Sequence, residues 1–178
     1  MSSSTLTPSV NLRPYDSVTR FFHWAMAVGF AWMLFTALVR FFADETPLSD
    51  AVWPWHRPVG FTLFLLWWLR AAWAFMHRAQ YQALSMAAKW GHRFIYALML
   101  AVPSIALLRQ YGSGRAFNYF GIPVMQASDN TIKWMTDLGG LLHGELGWLL
   151  FATVLGHVSM VFWHRRDSQT NVLPKMLG

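Results

Sequence analysis

Four apolar runs, each long enough to cross a lipid bilayer, leave this chain little choice of architecture. A span needs about 20 mainly apolar residues, and residues 21–42, 53–76, 91–109 and 139–163 each meet that requirement. Hydrocarbon offers no hydrogen bonds, so each run must close its own backbone bonds as a helix. The expectation is an all-α integral membrane four-helix bundle, with 1–178 forming one transmembrane domain. Pro54 and Pro58 suit the opening of the second helix, and Pro103 should bend the third. The fourth is expected to reach back to about Thr131. Residues 110–138 read as a turn-rich connection packed over one mouth of the bundle, and the Ser/Thr-rich start, 1–12, as a disordered tail. The first run is too long for a cleaved signal peptide, lacks a clear small-x-small site and contains His23.

Composition agrees with lipid as the solvent. Charged residues are 12%, against about 25% in an ordinary soluble domain. The net charge of +6 does not point to nucleic acid, because the cations lie between the apolar runs and not on one patch. With no cysteine, disulfides, iron–sulfur clusters, cysteine–zinc sites and CxxCH haem attachment are excluded. Tryptophans such as Trp24, Trp53, Trp55, Trp90 and Trp163 cluster near the ends of the runs, as interfacial belts do.

An even number of spans puts both termini on one side with the 77–90 connection. That side carries nine of the fourteen Lys and Arg residues (13, 20, 70, 78, 89, 93, 165, 166 and 175), and the other side carries five. The bias places both termini in the cytoplasm. The outer side holds Arg40, Arg57, Arg109, Arg115 and Lys133 against six carboxylates.

Seven histidines remain to be explained. His143 and His157 are fourteen residues apart in the fourth run, which in a helix is about 1400° of turn and ~21 Å of rise. They share a face at opposite depths. His23 begins the first run on the inner side, level with His157; His56 begins the second on the outer side, level with His143. Each depth therefore receives two imidazoles from different helices. Two facing neutral nitrogens suit a low-spin b-type haem, an iron held from both faces of a flat porphyrin. A zinc or copper site would want three or four ligands at one depth. Small residues (Gly29, Gly60, Gly144, Gly147 and Gly156) would let the ring approach the backbone, and Arg57 and Arg20 stand where propionates would emerge. His92, in KWGHRF, is a third imidazole at the inner depth. It is either a proton and hydrogen-bond partner for a quinone headgroup or an interfacial side chain. His77 and His164, beside Arg78 and Arg165, read as interfacial.

FFHW at 21–24, HRPVG at 56–60, KWGHRFIYALMLAVP at 89–103, the His143-x-x-x-Gly147 and Gly156-His157 pairs, and RAFNYFGIPV at 115–124 together resemble the bacterial cytochrome b561 family over most of 15–170. Ala106 departs from the pattern, standing where a glycine is expected after the third-span proline. The resemblance implies two haem b groups in the inner membrane, His23 and His157 ligating the inner iron and His56 and His143 the outer. It also implies electron exchange between a periplasmic one-electron carrier and membrane ubiquinone. In its most concrete form this is a superoxide:ubiquinone oxidoreductase, releasing dioxygen at the outer surface, with Arg115 the residue placed to meet the anion. The alternatives are a di-haem anchor and electron-relay subunit of a larger dehydrogenase or hydrogenase, which the compact chain and short tails disfavour, and a non-haem bundle carrying protons or metal ions.

Overall fold

The computed structural model describes residues 14–77, 85–165 and 173–177; the tail expected at 1–12 lies outside them. Helix α1 (Ser17–Phe42) starts where Asp16 accepts hydrogen bonds from the Thr19 amide, 2.9 Å, and the Thr19 hydroxyl, 2.5 Å. It stops at a turn in which Glu45 takes a left-handed φ of 61°, and Arg40 pairs with Asp44 there. A short helix α2 (Pro47–Val52), capped by Thr46, and the 3-10 turn Trp53–Trp55 lead directly into α3 (His56–Met76). Ser85 caps α4 (Met86–Gly112) through the Ala88 amide, 3.1 Å. Strands β1 (Phe117–Tyr119) and β2 (Ile122–Met125) form an antiparallel hairpin. Helices α5 (Lys133–His164) and α6 (Leu173–Leu177) follow.

The four spans expected from the sequence are all helical, and the helices overrun them. The first starts at Ser17, the second opens at Pro47 through α2, the third covers 86–112 and the fourth begins at Lys133, close to the expected extension. The added turns are polar or tryptophan-rich interfacial residues, where backbone still saves hydrogen bonds by staying helical. The connection after α4 holds something the sequence reading did not specify, the β1–β2 hairpin, so the fold is helical with one small sheet. Phe117 is 2% exposed, packed edge-on against Phe61 of α3, while the Tyr119 hydroxyl lies 2.9 Å from that of Thr62. Since Thr62 donates its own proton to the Pro58 carbonyl, Tyr119 is the donor in that pair. Gly114, at φ +66°, lets the loop return so closely that a side chain there would overlap the Ser128 carbonyl.

Helix α4 lies along α5 and α1 along α3, and a contact between α3 and α4 joins the two pairs. Close approach is built from glycine. A Cβ on Gly139 would overlap Arg109, and one on Gly112 would overlap Met135. Gly29 and Gly60 serve the α1–α3 seam, against Leu63 and Met33, a packing role that the sequence did not specify. The core joins all four long helices: Met26, Leu63, Leu98, Met99 and Leu150, ringed by Phe30, Trp67 and Val154 among others. Elsewhere the apolar surface faces outward, with Phe21, Phe42, Phe75 and Trp163 each more than 60% exposed. Such a surface is untenable in water and ordinary in lipid.

Gly139→Val should force α4 and α5 apart and cost about 1–3 kcal/mol by overpacking. Gly140→Val, whose Cβ meets nothing within 4 Å, should be tolerated. Thermal unfolding of the two purified variants in one detergent, followed by loss of the monodisperse gel-filtration peak, separates them.

Candidate functional site

The histidines gather in two layers, as their spacing predicts. Along α5, Leu150 stands midway between His143 and His157, seven residues from each. It is 3% exposed in the central core. Packed apolar side chains therefore separate two layers, called outer and inner after the orientation expected from the sequence.

In the outer layer, His56 on the first turn of α3 faces His143 on α5. Their ring centres are 6.4 Å apart and their planes nearly perpendicular, at 86°. Metal–imidazole bonds of about 2.0 Å at each side, with each ring centre roughly 1.1 Å behind its nitrogen, would set a shared metal's two rings about 6.2 Å apart. The observed spacing fits one metal between them.

The other ring nitrogens are already engaged. His143 Nδ1 lies 3.1 Å from the Val102 carbonyl, which can only accept, so that nitrogen carries the proton. His56 Nδ1 is 2.8 Å from the Thr36 hydroxyl. That hydroxyl also contacts the Met33 carbonyl at 3.0 Å and must donate to it. Thr36 therefore accepts from His56, and on both rings Nε2 is the nitrogen left without a proton and able to take a metal. Metal-ligating histidines are oriented in just this way, by a bond at the far nitrogen. Trp53 stacks on His56 at 4.7 Å and 26°, with the Arg40 guanidinium 5.4 Å above the indole.

The inner layer draws one residue from each long helix. His157 of α5 is in ring contact with His92 of α4, 5.3 Å between centres. His23 of α1 lies within electrostatic reach of both imidazoles and of Arg70 on α3. His23 itself rests edge-on against Trp24, at 5.4 Å. The structure thus brings His23 and His157 to one depth and adds His92 as a direct neighbour of His157. The sequence reading missed Arg70 as a site residue because it counted the residue among the inner flanking cations. The available signal was a lone charge inside FTLFLLWWLRAAWAF, the sort of residue that marks function in a membrane.

The cations singled out earlier do not converge on the histidines as a set. Arg20 donates from Nη1 to the Leu177 carbonyl of α6, 3.0 Å, and so is held by the chain's last described helix. Arg57 follows His56 but lies 5.9 Å from the Phe117 ring centre, under the hairpin. Arg115 is in the loop after α4, its Nε 3.3 Å from the Ser113 hydroxyl. It lines a cavity of about 190 Å³ with Tyr111, Gln126, Ser128 and Asn130 among others, and no histidine borders it. His77 stacks on Trp73 at 3.9 Å and bonds the Trp73 carbonyl, a helix-end role.

Three features fit a large flat group between the layers' helices. Positions 144, 147 and 156 are glycines flanking the two α5 histidines, and a Cβ at any of them would meet nothing within 4 Å. The Trp32 indole N–H, one turn from Thr36 on α1, is buried with no partner among the described residues. The donor set at the outer layer is two neutral nitrogens and no anion, the set a porphyrin iron takes.

A family model described as prokaryotic cytochrome b561 matches residues 14–178. "Cytochrome b561 homolog 2" of Escherichia coli strain K12 is 23% identical over 177 residues, covering 92% of this chain and 91% of that protein.

Thr36→Val should leave the His56 Nδ1 proton unpaired and the ring free to turn, and Thr36→Ser should restore both. Loss of such a bond weakens metal affinity roughly 10–100-fold. Retention of bound haem under increasing imidazole competition measures it, with the serine variant expected to match wild type.

Proposed function

Because the chain belongs to the prokaryotic cytochrome b561 family, whose work is electron transfer across a membrane through b haems, we propose that it carries electrons between a periplasmic one-electron partner and ubiquinone. Two haems serve that path, one per histidine layer, and the whole chain acts as one transmembrane unit with both termini in the cytoplasm. The observation that carries this reading is the outer pair, His56 and His143, spaced for one iron and each with its Nδ1 already engaged by the protein. In the inner layer His157 and His23 are the ligands proposed, and His92 is the third imidazole, within reach of a quinone headgroup at the edge of that layer. Arg57, at the outer end of α3, remains the proposed partner of an outer propionate; Arg20, which directs one of its five donors at the Leu177 carbonyl, remains the one proposed for the inner.

When bound, the haems supply one-electron carriers at two depths, so no charged species has to cross the hydrocarbon. The polypeptide's own contributions can be named. Thr36 and Val102 hold the tautomers of the outer ligands. Leu150 and its neighbours keep water out of the space between the layers. His92 holds or yields a proton on the cytoplasmic side, as a reaction consuming two protons per quinone requires.

The most concrete donor is superoxide. Two superoxide anions each release one electron and leave as dioxygen, and one ubiquinone takes up both electrons with two protons. Arg115, lining the outer-loop cavity, is the residue proposed to attract the anion. The net charge of the outer side does not help it.

Replacement of His143 by Ala should reduce the haem content of the purified protein from two to one, and His157→Ala likewise, with different haems lost. A haem assay with spectra of both variants checks this, and unchanged content in either removes that histidine from the ligand set. His92→Ala should keep both haems and slow quinone reduction severalfold. Stopped-flow reduction of the wild type by superoxide, with and without ubiquinone, tests the donor; absence of fast bleaching or haem reduction leaves another periplasmic carrier as the partner.

A further inference from the structure

Arg70 is the charge whose position demands most explanation. It lies six residues from the inner end of α3, or ~9 Å inside the helix end. Its side chain is not stretched toward the surface, as a snorkelling arginine's would be. Nη1 is 3.8 Å from the sulfur of Met26, a core residue 2% exposed. The guanidinium carbon is 5.4 Å from the Tyr96 ring centre. Its electrostatic neighbours are His23, His92 and His157, from α1, α4 and α5. None of these groups carries a negative charge. The ion pairs among the described residues, Arg40–Asp44 and Lys133–Asp137, stand at helix ends, and no carboxylate of the described chain reaches Arg70.

A guanidinium has five N–H donors in a rigid fork and cannot shed its proton. A thioether and a ring face satisfy little of that within a membrane span. Three imidazoles around one fixed cation make the shortage of negative charge worse. We propose that Arg70 is an oxyanion subsite within the membrane, completed by a carboxylate or similar oxygen carried by a redox group bound in the inner layer. The proposal rests on the reading of that layer as a haem and quinone site. Two sources share the chemistry: a porphyrin propionate, whose two oxygens match the fork, and the oxygen of a reduced quinone ring.

The test uses the intact haem-loaded protein in lipid nanodiscs, comparing wild type with Arg70→Gln and Arg70→Lys. Removing a positive charge beside an iron favours its oxidised form, so Arg70→Gln should lower the midpoint potential of one haem and leave the other unchanged. If a propionate is the partner, the resonance Raman band of propionate bending shifts in the glutamine variant and largely recovers with lysine. If a quinone oxygen is the partner, that band stays and ubiquinone affinity falls at least tenfold. Unchanged potentials, band and affinity in Arg70→Gln overturn the proposal. Where the glutamine variant loses a haem outright, the lysine variant decides: retention of both haems supports an anion partner, and equal loss overturns it. Failure of the underlying reading looks different, since His157→Ala would then keep its full haem content whatever Arg70 does.

Discussion

A polar side chain placed in hydrocarbon must find its partner inside the protein or in something the protein binds. Most of this bundle answers to that constraint. Thr36 bonds its own helix and an imidazole, Ser104 and Thr153 bond back to carbonyls of their own helices, and the Trp67 indole crosses to the Tyr96 carbonyl. The groups that the described residues leave incomplete include the Trp32 indole N–H, one turn from the Thr36 that holds His56, the Arg70 guanidinium beside the inner histidines, and the Ser49 hydroxyl of α2. Two of the three adjoin a histidine layer, where a bundle built around bound groups should show such gaps.

The spine of the arrangement is α5. Its step of seven residues twice over, His143 to Leu150 to His157, returns nearly to the same face while crossing most of a bilayer. One helix therefore contributes to both layers and to the packed core that divides them. The glycines at 144, 147 and 156 leave that face bare beside each histidine, whereas Gly139 on the same helix is filled by Arg109 of α4. Glycine does two jobs here, close helix packing at the outer end and open room further in, and only the neighbour distinguishes them.

That double use explains what could be read from the sequence and what could not. Long apolar runs and the depth of His23, His56, His143 and His157 follow from arithmetic on helix rise, so the four spans and the two layers were legible. The roles of Gly29 and Gly60 were not, because which residue meets a glycine is a tertiary fact. Nor was the hairpin, whose strands of three and four residues carry no clear alternation. Arg70 was counted with the inner cations although the expected span, 53–76, already held it and ends where the helix does, at Met76. Leaving it out of that count gives the inner side eight cations to five, so the charge bias keeps its direction. Arg20 drew attention by its nearness to His23, and its contact with α6 is one the sequence could not show.

That contact ties two distant stretches of chain together. The carbonyls of Lys175, Met176 and Leu177 receive bonds from the Tyr15 amide, the Trp24 indole and Arg20, and Trp24 in turn lies against His23. The final described helix acts as a buckle fastening the threshold of α1, two steps away from an imidazole of the inner layer. A purification handle fused there pulls on that buckle, so the same protein handled by opposite ends need not present the same His23.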